Sequence, residues 1–189
     1  MKTTEIITII ISILIFLSPF IYKKYFRRPK IDISIKWVSG QQVPLYLSVK
    51  NDLNKPISPN AIIHYQLTWN YNLFIKNNSN QTAYDLELFI YKGENINFHE
   101  KIDKTTPILG NSQIEIDINY SKSLEGTGKV VSLEIKKKHP LEIKNLRLSV
   151  KYKNEKRITF YTLFYLEDDQ TVNKYLFFKP KDFGDFKKV

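Results

Sequence analysis

The chain has no cysteine, and only six glycines and three histidines among its 189 residues. The lack of cysteine excludes disulfides, thiolate zinc sites, cysteine nucleophiles and a lipoprotein-type anchor. The histidines at 64, 99 and 139 share no ligand-like spacing, whereas a metal site needs convergent donors. Residues 125–130, Glu-Gly-Thr-Gly-Lys-Val, invite a phosphate-loop reading, but the pattern G-x-x-x-x-G-K-[ST] fails twice. Ser123 stands where its first glycine belongs, and Val130 where it needs Ser or Thr. His99 and Glu100 begin like a zinc-protease helix that lacks its second histidine. Glu167, Asp168 and Asp169 lack the spaced acids and glycine of a calcium loop. There is no G-x-S-x-G elbow. No catalytic residue, cofactor or metal ligand stands out, and the expectation is a non-enzymatic protein.

Acidic residues are also scarce, 19 against 29 Lys and Arg, for a net charge of +10. Residues 1–30 hold six of the basic residues and one acid (Glu5), so half of the excess sits in the first sixth of the chain. The remainder is mildly basic. Its one cationic run, Lys136, Lys137, Lys138 and His139, reads as a solvated turn before Pro140 rather than the stripe that nucleic acid requires. No nucleic-acid partner is expected.

What the chain does have is a charge-free apolar run over residues 6–22, IITIIISILIFLSPFIY. Its seventeen residues sit at the lower edge of the roughly 17–25 that cross a hydrocarbon core. The hydroxyls of Thr8, Ser12 and Ser18 can bond back to helix carbonyls, and Pro19 falls in the last turn. A cleaved signal peptide would need a small-residue cleavage site, which is absent here. A buried core helix does not suit a segment apolar on every face and followed by a cationic collar. We therefore expect one N-terminal transmembrane helix. Its membrane-interface residues would be Tyr22, Lys23, Lys24, Tyr25, Phe26, Arg27, Arg28 and Lys30, aromatic rings and cations that suit the headgroup layer and anionic lipids. Basic residues remain on the cytoplasmic side, which would leave the following domain cytoplasmic on a single-pass inner-membrane protein.

From Ile31 the period changes from helix to strand. Ile31, Ile33, Ile35 and Trp37 alternate with polar residues, residues 39–42 (Ser-Gly-Gln-Gln) read as a turn, and Val43, Leu45, Leu47 and Val49 alternate again. The longest alternation places Ile63, Tyr65, Leu67, Trp69, Tyr71, Leu73 and Ile75 on one face, and both Trp37 and Trp69 fall in register with core faces. Further strands are expected over residues 83–91, 96–102, 114–120, 146–152, 158–167 and 174–179. Residues 130–135 could be a strand or a turn of helix. Turn signals between short strands, with no helical period beyond the anchor, point to an all-β antiparallel sandwich of about eight or nine strands. The expected domains are residues 1–30 as anchor and collar, 31–180 as the sandwich, and 181–189 as a polar tail.

Two stretches share a form: residues 49–57, VKNDLNKPI, and residues 75–83, IKNNSNQTA. A strand ending in Asn, a short polar turn and an apolar re-entry resembles the B–C corner of bacterial immunoglobulin-like domains of the adhesion-module kind. Residues 107–112, PILGNS, before an alternating strand, fit the same pattern. The resemblance covers about residues 60–120. It implies an immunoglobulin-like β-sandwich used for binding or as a spacer, and it carries over no functional residue. Two functions then compete. One is a protein-binding module or accessory subunit of a membrane complex, with a protein partner or homo-oligomer. The other is a ligand-sensing effector that oligomerises and disrupts the membrane.

Overall fold

A computed structural model describes residues 3–22, 28–47, 61–93, 95–180 and 187–189. Helix α1 (Thr3–Ile21) comes first, followed by strand β1 (Ile31–Leu47), β2 (Ile63–Asn77), β3 (Tyr84–Lys92), β4 (Ile96–Phe98) and β5 (Gln113–Gly126). Helices α2 (Gly128–Ile135) and α3 (Leu141–Lys144) precede β6 (Arg147–Lys153), β7 (Thr159–Glu167), β8 (Gln170–Leu176) and β9 (Lys187–Lys188). The strands form two antiparallel sheets, ordered β1-β2-β5-β4 and β8-β7-β6-β3-β9. The chain is therefore mostly β, a two-sheet sandwich.

Strand β2 organises the core. Its inward residues Leu67, Trp69, Tyr71, Leu73 and Ile75 are all buried, as the period-2 pattern requires. They meet Leu86, Leu88, Leu148, Val150, Tyr152, Phe160 and Phe164 from the second sheet. The Trp69 ring stacks on Tyr120 across the β2–β5 pair at 5.5 Å. Trp37 is only partly buried and packs against the edge of this cluster.

Several expectations are corrected. Residues 39–42 do not turn the chain. β1 runs straight through them as one 17-residue strand, paired with β2 from Ile31↔Asn77 to Leu47↔Ile63. The turn-like composition instead marks an irregular register between Trp37 and Ser39. Gly40 is there because the end of α2 lies on it: a Cβ would stand 2.9 Å from Ile135 Cγ1 and 3.0 Å from its carbonyl oxygen. Helices beyond α1 do exist. Residues 130–135 fall within α2, held by buried Val131, and α3 inserts buried Ile143. The end of the expected polar tail supplies β9, which pairs with Phe89 and Ile90 of β3. The Val49 end of the second expected strand lies outside the described residues.

Two side chains close the sandwich where strands do not. The Asn173 amide of β8 donates to Ile33 O and accepts from Ile33 N, both at 3.0 Å, so it mimics a strand partner for β1. Asn77, fully buried at the β2 terminus, donates to Gln81 O (2.6 Å), Ile108 O (3.2 Å) and Leu109 O (3.2 Å). Its own carbonyl accepts from Ser79 N (3.2 Å) and Ser79 Oγ (2.8 Å). This corner carries the chain from the first sheet to the second. The β7–β8 hairpin turns on Asp168 and Asp169, both at positive φ (49° and 62°), the geometry a two-residue hairpin favours.

Helix α1 differs from every other element. Its side chains over residues 5–22 are exposed all round, with Leu17 at 41 % and Phe16 at 69 %. Ser12 Oγ donates to Thr8 O (2.9 Å) and Ser18 Oγ to Ile15 O (3.0 Å), so these hydroxyls are satisfied within the helix. Among the described residues, no helix is long and apolar enough to cross a membrane.

Candidate functional site

The crossing from β5 to β6 is made by α2, a short connector and α3. Residues 136–140 join α2 to α3 over one end of the core. Two core rings of β2 hold this connector by its backbone: Trp69 Nε1 donates to Lys137 O (3.0 Å) and Tyr71 Oη to Lys138 O (2.9 Å). The His139 ring then lies nearly parallel to Tyr71, with centroids 6.4 Å apart.

Two clefts share Glu142 here. One, of about 1020 Å³, lies between α3 and the β3–β4 turn and is lined by Ile90, Tyr91, Ile96, Tyr120, Glu142 and Asn145, among others. The second, of about 910 Å³, is lined by Lys122, Glu134, Lys138, His139, Glu142 and Asp169, among others. Glu142 faces both. Glu142 Oε2 and His139 Nδ1 are buried and lack a hydrogen-bond partner among the described residues. Burial, and then the hydrogen bond to Glu142, push the Tyr120 hydroxyl above its ordinary pKa. Burial also raises Tyr71, with the Tyr120 and Glu142 charges adding to it.

The cations of the second cleft are largely spoken for. Glu134 takes Lys122 at 2.9 Å and Lys137 at 2.5 Å, which lowers its pKa, and Asp169 pairs with Lys144 at 3.0 Å. The clefts therefore offer a mixed polar and aromatic wall rather than a field of one sign. They suit hydrogen-bonded recognition, and among the described residues no three acidic or imidazole groups converge as a metal site. The other two histidines are elsewhere: His64 lies 3.4 Å from Glu125, and His99 Nε2 lies 2.7 Å from Asn119 Nδ2.

Burial lowers the His139 pKa below its ordinary 6.5, outweighing the opposing pull of Asp169. A group with a depressed folded pKa stabilises the fold above its unfolded pKa, and that stability is lost as pH falls through the folded value. The urea midpoint should therefore begin to fall below about pH 6.5. His139→Gln should flatten this first limb. It should leave a second acid limb below about pH 4, where depressed carboxylates such as Glu134 and Asp85 titrate. An unchanged first limb in the variant would remove His139 from the account.

Of the expected membrane-interface residues, Lys23, Lys24, Tyr25, Phe26 and Arg27 lie outside the described residues. Tyr22 is exposed at the end of α1, and Lys30 is exposed beside β1. Arg28 is not displayed outward. Its guanidinium carbon sits 4.3 Å from the Phe177 centroid, 5.6 Å from Phe160 and 5.7 Å from Tyr175. Tyr175 Oη also donates to the Asp32 carboxylate. Buried Pro29 follows, its carbonyl taken by Tyr152 Oη at 3.1 Å, and Lys30 O accepts from Asn78 N at 2.8 Å. Arg28, Pro29 and Lys30 are thus tied into the domain. No signal in the sequence pairs Arg28 with rings more than 130 positions away.

No known family model matches the chain. No curated protein matches it either. Among solved structures, one match is described as "X-ray structure of Northeast Structural Genomics Consortium target SoR45". It has 8 % identity over 85 % of each chain and a TM-score of 0.20, too slight a likeness to carry an argument.

Proposed function

We propose that this chain is a single-pass, membrane-anchored immunoglobulin-like β-sandwich that acts by binding, as a protein-docking module or accessory subunit of a membrane complex. The observation that carries the anchor is the surface of α1. A helix apolar on every face is stable when surrounded by lipid or by other apolar helices, and a water-exposed helix of this kind is not. Its 19 residues measure about 28 Å at 1.5 Å each, just under the roughly 30 Å hydrocarbon core. Local bilayer thinning and snorkelling flanks accommodate a segment this short. The basic residues after the helix favour a cytoplasmic domain.

Strand order supports the immunoglobulin-like reading. If β1 to β7 are lettered A to G, the sheets read A-B-E-D and G-F-C, the two sheets of a constant-type immunoglobulin domain, with β8 and β9 added at the edges. The B–F disulfide and the strand-C tryptophan of antibody domains are absent, and Trp69 fills the core from strand B instead. Binding rather than catalysis is favoured by the clefts, where Glu134, Asp169 and their lysines are tied up in ion pairs.

The second reading, a ligand-sensing effector that oligomerises in the membrane, is favoured by one observation: the unsatisfied Glu142 and His139 atoms in adjoining clefts. The test is purification of the full-length protein from membranes in mild detergent, with mass spectrometry and a sizing run. The protein should resist alkaline carbonate extraction, and deleting residues 1–22 should release it. A stoichiometric foreign membrane protein in the eluate supports the docking reading. A lone protein that assembles when cell metabolites are added overturns that reading in favour of the effector.

A further inference from the structure

We propose that the domain makes a second contact with the bilayer, through the corner at Phe177, Phe178 and Lys179, and so lies on the membrane beside its own anchor. This rests on the anchor reading above. Phe178 is 83 % exposed, the most exposed of the large apolar side chains described, and neighbouring Phe177 is 38 % exposed. A phenylalanine displayed this fully serves no core.

Its position in the fold decides what covers it. Phe177 carries the Arg28 guanidinium at 4.3 Å, and Arg28 is only six residues beyond Tyr22 at the end of the apolar helix. Six residues reach at most about 21 Å. The corner is therefore held within a short chain length of the point where the helix would leave the lipid, wherever the rest of the domain points. The chemistry also matches a headgroup layer. Two rings and a lysine are adjacent in sequence, Lys30 is exposed on the incoming chain, and the intervening collar residues are basic or aromatic. A bilayer with anionic headgroups is the partner that this mixture fits.

Arg28 gives the corner its rigidity. Its guanidinium lies among Phe160, Tyr175 and Phe177, and the Tyr152 bond to Pro29 O fixes the next residue. The described chain therefore enters the domain at a fixed point, Arg28 and Pro29.

The cysteine-free chain allows single labels. Phe178→Cys, Ile13→Cys and Leu133→Cys variants of the full chain carry an NBD fluorophore and are reconstituted into vesicles of phosphatidylcholine and phosphatidylserine. Ile13 lies in α1, and Leu133 is an exposed residue of α2. The label at 178 should be blue-shifted and lose emission to a quencher carried at shallow depth on the lipid. The label at 13 should be quenched from deep in the bilayer, and the label at 133 should be untouched. Emission at 178 like that at 133, with 13 still quenched, overturns the second contact and leaves the anchor standing. A blue shift at 178 without lipid quenching also overturns it, in favour of a contact between protein copies. Loss of quenching at 13 overturns the anchor reading and the inference together.

Discussion

Trp69→Ala should leave the domain on the edge of unfolding, with a loss of about 4–6 kcal/mol. Truncating a buried tryptophan costs about 3–5 kcal/mol from lost burial and the cavity left behind. Trp69 is fully buried and stacks on Tyr120. It also donates to Lys137 O at 3.0 Å, so removing it strips the α2–α3 connector of one of its two core tethers. Domains of this size have only about 5–15 kcal/mol in hand. Trp69→Phe separates the contributions. It keeps most of the ring volume and loses the N–H, and should cost about 1–2 kcal/mol. The measurement is the urea midpoint of the full chain in mild detergent. Equal losses in the two variants would mean that the hydrogen bond, not the ring, carries the effect.

Asn77→Ala should cost about 2–4 kcal/mol, because a buried network loses its centre while its partners remain. Three carbonyls and the Ser79 donors then face a methyl group. Asn77→Asp is the sharper test. It replaces a donor by an oxygen aimed at three carbonyl oxygens, so at neutral pH it should destabilise at least as much as alanine. Burial and those carbonyls would raise the new carboxyl's pKa, because only its protonated form donates. A group with a raised folded pKa contributes its full stability below its unfolded value and loses it as pH rises through the folded one. This variant should therefore recover part of its deficit as pH falls from neutral towards about 4, with the recovery complete there. The wild type weakens over the same range. Parallel pH profiles for the two proteins would show that the amide is not acting as a donor.

Much of the sandwich was legible wherever a strand has one wet face. The alternation of β2 named the inward residues because its other face carries Gln66, Thr68, Asn70 and Asn72. It failed where tertiary packing overrode local signals. Residues 39–42 look like a turn, yet the continuous β2 partner holds β1 extended and Gly40 is consumed by the approach of Ile135. Helix α3 is four residues long, too short for any period to show. The clefts were not legible at all. The Lys136–His139 run looks like a solvated turn because its side chains are polar, but its structural part is the backbone carbonyls that Trp69 and Tyr71 hold. Glu142 carries no sequence signal beyond being one acid among many. Arg28 belonged to the basic collar by position, and only the fold brings Phe160, Tyr175 and Phe177 to it.

The point where the chain enters the sandwich also fixes its mechanics. The incoming chain joins β1 at Ile31, opposite Asn77, while the end of α2 lies on Gly40, opposite Trp69. Nine residues of strand separate the two, about 30 Å. If α1 is the proposed anchor, a load between the membrane and anything gripping the α2 end runs lengthwise along β1. Its ladder with β2 would then slide as a unit in shear, with many hydrogen bonds sharing the force, instead of peeling open one pair at a time. The Asn173 amide clamps the same strand to the other sheet close to where the pull enters. With α1 as the proposed anchor, a domain built this way can be tugged from its α1 side without coming apart from that end.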